Sequence, residues 1–203
     1  MKIFLVYKAI RRTYSVITTI IDNIVCHIVF WGNNISFQSF KTQGIPVVSV
    51  AIGGTCIIGK NLRMNNGSKG NPIGCFERCT LFVDKGAKLI IGDNVGISQA
   101  AIVCHSFIKI GDSVKIGGGV CIYDTDFHAL DSKLRANNSM DFLNKIKKPV
   151  IIEDNVFIGA HSLILKGVII GENSIIGAGS VVTKSIPANQ IWGGNPSKFI
   201  RNL

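Results

Sequence analysis

From Ile152 to Pro187 the chain sets an aliphatic residue at every sixth position. Ile152, Ile158, Ile164, Ile170, Ile176 and Val182 open successive steps, with Gly159, Gly171 and Gly177 second in theirs. The fifth place (Val156, Ser162, Val168, Ser174, Ser180, Ile186) is small or β-branched. An α-helix repeats its apolar face at three, four and seven residues, so a strict period of six cannot hold to one face. The period suits a short strand and a tight turn, stacked many times into a parallel β-helix. The steps begin faintly after Val48, at Ile52-Gly53 and Ile58-Gly59-Lys60-Asn61. Residues 64–72 break the register with turn residues and read as a loop. The steps firm up at Ile91-Gly92-Asp93-Asn94-Val95. One extra residue precedes Ile110-Gly111-Asp112-Ser113-Val114, an insertion a solenoid absorbs at a corner.

Residues 1 to about 31 follow another rule. Val6, Ile10, Tyr14, Ile17, Ile21, Ile24 and Ile28 fall three or four apart, with Lys8, Arg11, Arg12, Ser15, Thr18, Thr19, Asp22 and Asn23 between them, which predicts an amphipathic helix. Arg11 and Arg12 interrupt the apolar stretch and no small-residue cleavage site follows, against a secretory signal. Asp22, Asn23 and His27 argue against a membrane span. The expectation is that the helix packs on the solenoid and caps its open end. The alternative is peripheral contact with a membrane, basic face toward lipid. The division that follows is a helix and transition segment over 1–46 and a solenoid over 47–203.

The metre fails once more, over 123–149, where Asp124, Asp126, His128, Asp131, Lys133, Arg135, Asp141, Lys145, Lys147 and Lys148 crowd a stretch without hexads. Long excursions in compact folds are functional or disordered, and insertions into repeats build binding faces.

Composition narrows the function classes. The chain has 203 residues, 47% hydrophobic, with 22 glycines that fit the turn demand of the repeats. Its net charge of +10 suits an anionic partner. Nucleic acid is excluded as an expectation, because no dense Lys/Arg stripe with interleaved aromatics occurs. The six cysteines form no Cys-x-x-Cys pair, so no zinc site is predicted and buried reduced thiols of a cytoplasmic protein are expected.

The run from Ile158-Gly159-Ala160 through Ile176-Gly177-Ala178-Gly179-Ser180-Val181-Val182-Thr183-Lys184, and the ending Gly193-Gly194-Asn195-Pro196-Ser197-Lys198-Phe199-Ile200-Arg201, resemble the hexapeptide-repeat acyltransferases. The likeness is closest to sugar O-acetyltransferases related to the maltose and galactoside enzymes and to those that decorate capsule or O-antigen sugars. Tyr123-Asp124-Thr125-Asp126-Phe127-His128-Ala129-Leu130 resembles their active-site loop. The resemblance implies an all-β solenoid: a left-handed parallel β-helix of triangular section, with the N-terminal helix and one protruding loop appended. It implies a homotrimer binding acetyl-CoA between subunits, with a sugar acceptor at the mouth. Handedness rests on the resemblance alone.

Acetyl transfer to a sugar hydroxyl needs a general base, donors for the oxyanion and a hold on a long anionic carrier. Histidine suits the first role. His27 lies on the helix, His105 and His161 near repeat corners, and His128 in the excursion just after Asp124 and Asp126. By resemblance His128 is the catalytic base, and Asp124 or Asp126 would orient its ring, with Asp126 preferred as an acceptor-site residue. Ser98 and Gln99, where the aliphatic lane turns polar, match an acceptor-binding region. Ala160, Ala178, Gly179, Thr183, Lys184, Lys198 and Arg201 match positions that meet coenzyme A in the family. Ala160, Ala178 and Gly179 would leave room for a pantetheine arm, while Lys184, Lys198 and Arg201 are cations suited to its phosphates. The competing readings are N-acetyl transfer to an amino sugar, which needs less activation, and a non-catalytic scaffold held at a membrane by the helix.

Overall fold

Six-residue steps with one inward aliphatic produce strands of two to four residues separated by sharp corners. The computed structural model, which describes residues 3–67, 71 and 73–203, contains three parallel sheets built from such strands. Ser68, Lys69, Gly70 and Pro72 of the loop read at 64–72, and Met1 and Lys2 before the helix, lie outside the described residues. Each coil contributes one strand to each sheet, so the solenoid is a triangular prism. The first face runs from Ser36–Phe37 to Ile169–Ile170. The second runs from Phe40–Gln43 to Ile175–Ile176 and on to Gln190–Gly193, and the third from Val47–Val50 to Val181–Val182. Regular coils advance 18 residues, as in Ile152 over Ile170, Ile158 over Ile176 and Ile164 over Val182. These side chains are fully buried in one apolar column.

The corner between the first and second faces shows why the hexads read Gly-Asp-Asn. Asn61, Asn94, Asn155, Asn173 and Asn189 all adopt positive φ, the left-handed conformation Asn tolerates. Their amides stack along the edge, from Asn155 to Asn173 at 3.1 Å and from Asn173 to Asn189 at 2.9 Å. Beside them Asp93, Asp112 and Asp154 accept backbone N–H groups from the preceding coil. Gly159 needs its missing side chain, because a Cβ there would come within 2.5 Å of the Ala178 nitrogen one coil on. Burial pushes the thiols of Cys26, Cys56 and Cys104 up to about 12 and that of Cys79 to about 11, so these are inert packing residues.

Helix α1 (Ile3–Gly32) lies across the open end of the prism. The expected cap is present, but the face that docks is the polar one. The apolar stripe of Ile10, Tyr14, Ile17, Ile21, Ile24 and Ile28 points to solvent. The reason lies in the first coil, whose outer backbone edge lacks a neighbouring strand. Asn23 pairs with both the N–H and the carbonyl of Thr42, Asp22 accepts the Gly44 N–H at 2.7 Å, and Asn33 accepts that of Val50. Cys26 and Phe30 bury between these polar contacts, and the Phe30 ring meets Phe37 and Phe40. Strands thus begin at Ser36, within the segment read from sequence as a transition.

Residues 124–149 leave the corner between the third and first faces and carry α2 (Ser132–Arg135) and α3 (Asn138–Asn144). Asp131 and Asn137 cap them by accepting backbone N–H groups of the first turn. At the far end Lys198–Asn202 folds back antiparallel on Gln190–Gly193 and covers the last edge.

Candidate active site

The excursion is closed at its base as a β-ribbon is. Thr125 bridges Lys147, the Lys148 N–H donates to the Asp124 carbonyl, and the Asp126 N–H donates to that of Ile146. Phe127 takes φ of 65°, rare for a bulky side chain. Its N–H donates to Thr125 Oγ1, and its ring stands edge-on to Tyr123 and His105. The chain turns there, and the next side chain, His128, projects outward with 68% of its surface exposed.

His128 Nδ1 lies 2.7 Å from Asp141 Oδ2, a residue of α3. The other oxygen of Asp141 accepts the Ala129 N–H at 2.6 Å. The bond from His128, and then that from Ala129, hold the Asp141 carboxyl below its ordinary value, so it stays ionised. An ionised carboxylate on Nδ1 fixes the tautomer with the proton there and leaves Nε2 as an acceptor. Arg135 donates to the carbonyls of Ala129 and Leu130, latching α2 to the same turn.

The structure corrects the flanking acids. Asp124 is fully buried, and its carboxylate accepts the backbone N–H groups of His105, Ser106 and Phe107. It closes the preceding corner and does not reach the His128 ring, whose Nδ1 partner is Asp141. Asp126 Oδ1 pairs with Lys166 at 2.5 Å, and its buried Oδ2 has no hydrogen-bond partner among the described residues. Neither acid orients His128. Sequence reasoning missed Asp141 because residues 123–149 were read without helices. Asn137, a cap residue ahead of it, is the signal that could have found it.

A second His–Asp pair sits beneath the loop. His105 Nδ1 lies 2.7 Å from Asp84 Oδ2, with 11% of the His side chain exposed. Lys145 and Lys147, on the returning leg of the loop, approach the same carboxylate at 4.0 and 3.9 Å. Burial raises the Asp84 carboxyl, but bonds from His105 and the Lys85 N–H outweigh it and leave the group lowered. Phe82 and Phe127 flank the ring.

The remaining candidates are spread over the prism, and most of them lie away from the His128 edge. Gln99, at the corner between the second and third faces, is buried and donates to the carbonyls of Gly67 and Cys75. It ties Gly67 and Cys75 to this corner and presents no acceptor-binding amide to solvent, a correction to its predicted role. Ser98 faces outward on the second face, accepts from Asn65 and borders a cleft of about 380 Å³ with Arg63 and Lys115. His161, at the Gln99 corner, sits 3.5 Å from Cys75 Sγ. Ala160, Ala178 and Gly179 stack along that edge, where a Cβ on Gly179 would meet nothing within 4 Å. Thr183 and Lys184 lie at the edge that carries the His128 loop, and Lys198 and Arg201 are exposed on the final strand. Within one chain the small-residue edge and the His128 edge are different corners.

A prism of hexapeptide coils with one histidine-bearing protrusion defines the class of β-helix acyltransferases. A family profile described as the hexapeptide repeat of succinyl-transferase matches residues 149–184. A Dictyostelium discoideum protein bearing the name "Putative acetyltransferase" is 38% identical over 140 residues, 68% of this chain and 68% of that protein. A galactoside acetyltransferase solved with coenzyme A is 38% identical over 56% of this chain and 55% of its own, at a TM-score of 0.51. A hexapeptide-repeat acetyltransferase of Vibrio cholerae, VCA0836, solved with acetyl-CoA, is 35% identical over 57% and 60%, at 0.52. The match thus spans little more than half the length of these solved relatives. The chain belongs to the hexapeptide-repeat acetyltransferase family, left-handed β-helix enzymes that draw their acyl group from a coenzyme A thioester.

Proposed function

We propose that this protein moves an acetyl group from acetyl-CoA to a hydroxyl of a sugar or polysaccharide precursor, with His128 as general base. The observation that carries the reading is the exposed His128–Asp141 pair at 2.7 Å. Acetyl-CoA, when bound, supplies an acyl group already activated as a thioester. Ala160, Ala178 and Gly179 offer an edge of minimal side chains for its pantetheine arm, and Thr183, Lys184, Lys198 and Arg201 offer donors for its phosphates. Nε2 of His128 takes the proton of the attacking hydroxyl and returns it to the leaving sulfur, so the base is regenerated in each turnover. Asp141 holds the ring in the tautomer this requires and stabilises the imidazolium while the proton resides there. A neutral amine needs less activation than a hydroxyl, and the oriented imidazole supports the O-acetyl reading.

The two edges belong to different corners, so a site that uses both requires neighbouring copies, and we assign the protein a homotrimer. The test is acetylation of a panel of sugars by wild-type and His128→Ala protein, read by mass spectrometry. A loss of about 10²- to 10⁴-fold in rate is expected, and equal transfer by both proteins would remove His128 from the mechanism.

A further inference from the structure

Helix α1 binds the solenoid through one side only and leaves a long apolar face uncovered. From Ile3 to Trp31 steps of four and three residues alternate without a break, and the central members Ile10, Tyr14, Ile17, Ile21, Ile24 and Ile28 are each more than half exposed. A soluble helix with a stripe of this kind ordinarily turns it to the core. Here the core side is taken by Asp22, Asn23, Cys26 and Phe30, because the first coil needs their acceptors and packing. We infer that α1 docks the protein on an anionic membrane surface, lying in the plane of the head groups with the solenoid standing on it.

Three observations select this occupant. The first is charge. Residues 1–76 carry eight Lys and Arg against one acid, whereas residues 77–203 carry 14 against 11. The one acid, Asp22, is spent on the Gly44 N–H, so the helix end of the prism meets its surroundings as a cation. The second is orientation. Contacts from Asp22 to Asn33 run over strands of all three faces of the first coil, so α1 lies across the solenoid end with its apolar face turned outward. Helices lying this way cannot bundle along the solenoid axis. Val16 and Ile20, also exposed, widen the stripe beyond a two-position coiled-coil seam. The third is length. Only residues 3–18 are clear of the solenoid contacts, about 24 Å of helix against roughly 30 Å of hydrocarbon. Lys8, Arg11 and Arg12 interrupt that stretch, so it lies in the interface and does not span. Tyr7, Tyr14 and Trp31, all exposed, are residues that settle at head-group depth.

The inference stands on α1 alone and does not rest on the chemistry proposed for His128. It is tested by flotation of the full-length protein with vesicles of phosphatidylcholine, alone or mixed with phosphatidylglycerol. Binding to the mixed vesicles, weakened by salt, is expected. Arg11→Ala/Arg12→Ala should weaken it about tenfold or more, and Ile17→Glu/Ile21→Glu should abolish it. Circular dichroism reads folding of both variants, since neither pair touches the solenoid. Failure of the wild type to float, or flotation undiminished in the isoleucine variant, overturns the inference. So does resistance to alkaline carbonate, which would assign a spanning helix. Light scattering that shows a larger assembly dissolved by Ile17→Glu/Ile21→Glu, without vesicle binding, would assign the face to a second copy instead.

Discussion

The molecule contains two histidine–aspartate pairs with the same 2.7 Å bond through Nδ1, and they sit in opposite environments. His105 and Asp84 are wedged between phenylalanines and two lysines at the base of the excursion, whereas His128 and Asp141 stand at its outer surface. The ring with its second nitrogen open to a substrate can move a proton, and the ring packed among neighbours fastens a loop. The length of the His–Asp bond alone would not separate them. Burial does.

The contrast depends on the loop leaving its corner correctly, and Asp124 controls that. Asp124→Ala strands three partly buried N–H groups and should cost about 2–4 kcal/mol of stability, read as a lowered Tm. Asp124→Asn, which keeps one acceptor, should cost roughly half as much. A loss within experimental error for Asp124→Ala would mean the corner is held by something else.

Asp141→Asn probes the outer pair. It keeps the shape but no longer imposes the Nδ1–H tautomer, and a fall in kcat of about ten- to a hundredfold is expected with Tm nearly unchanged. Equal falls in kcat and Tm would reduce Asp141 to a loop brace.

The inner pair should answer to pH through stability. The Asp84 carboxyl is lowered in the folded protein, so its contribution is present above the unfolded carboxylate value of about 3.9 and is lost as pH falls through the lower folded value. Asp84→Asn should therefore cost about 1–2 kcal/mol near neutral pH, and the gap in Tm from wild type should close in acid. A gap constant with pH would contradict the ion-paired clamp. Lys166→Met removes the partner of Asp126, a pair largely buried on both sides. A loss of about 1–2 kcal/mol is expected, with kcat unchanged.

Much of the prism was legible in the sequence because each coil repeats one set of local demands: an aliphatic inward, a glycine against the next coil, an Asp and an Asn at the corner. Ile152 to Val182 satisfy these with no help from distant residues. The first coil was not legible. Phe40 and Thr42 are inward-facing and buried, but no glycine or aliphatic marks their spacing, and their edge is completed by side chains from α1. The docking face of α1 was misread for the same cause: apolar periodicity reports what a helix could bury, while unpaired backbone at the solenoid end decided what it did bury. At the proposed site, the broken metre marked the excursion that bears His128, and the family resemblance singled out the residue. Its partner was not legible, since Asp141 is 13 residues away and reaches the ring only through α3. The nearer acids, Asp124 and Asp126, were claimed by backbone N–H groups and by Lys166.

The central claim is that His128, and not His105, carries the transferred proton. Turnover of His128→Ala and His105→Ala, measured side by side at saturating acetyl-CoA with a sugar acceptor, tests it most directly. The account predicts a kcat lower by about 10²- to 10⁴-fold for the first and by less than about tenfold for the second. Equal losses, or the larger loss in His105→Ala, would contradict it.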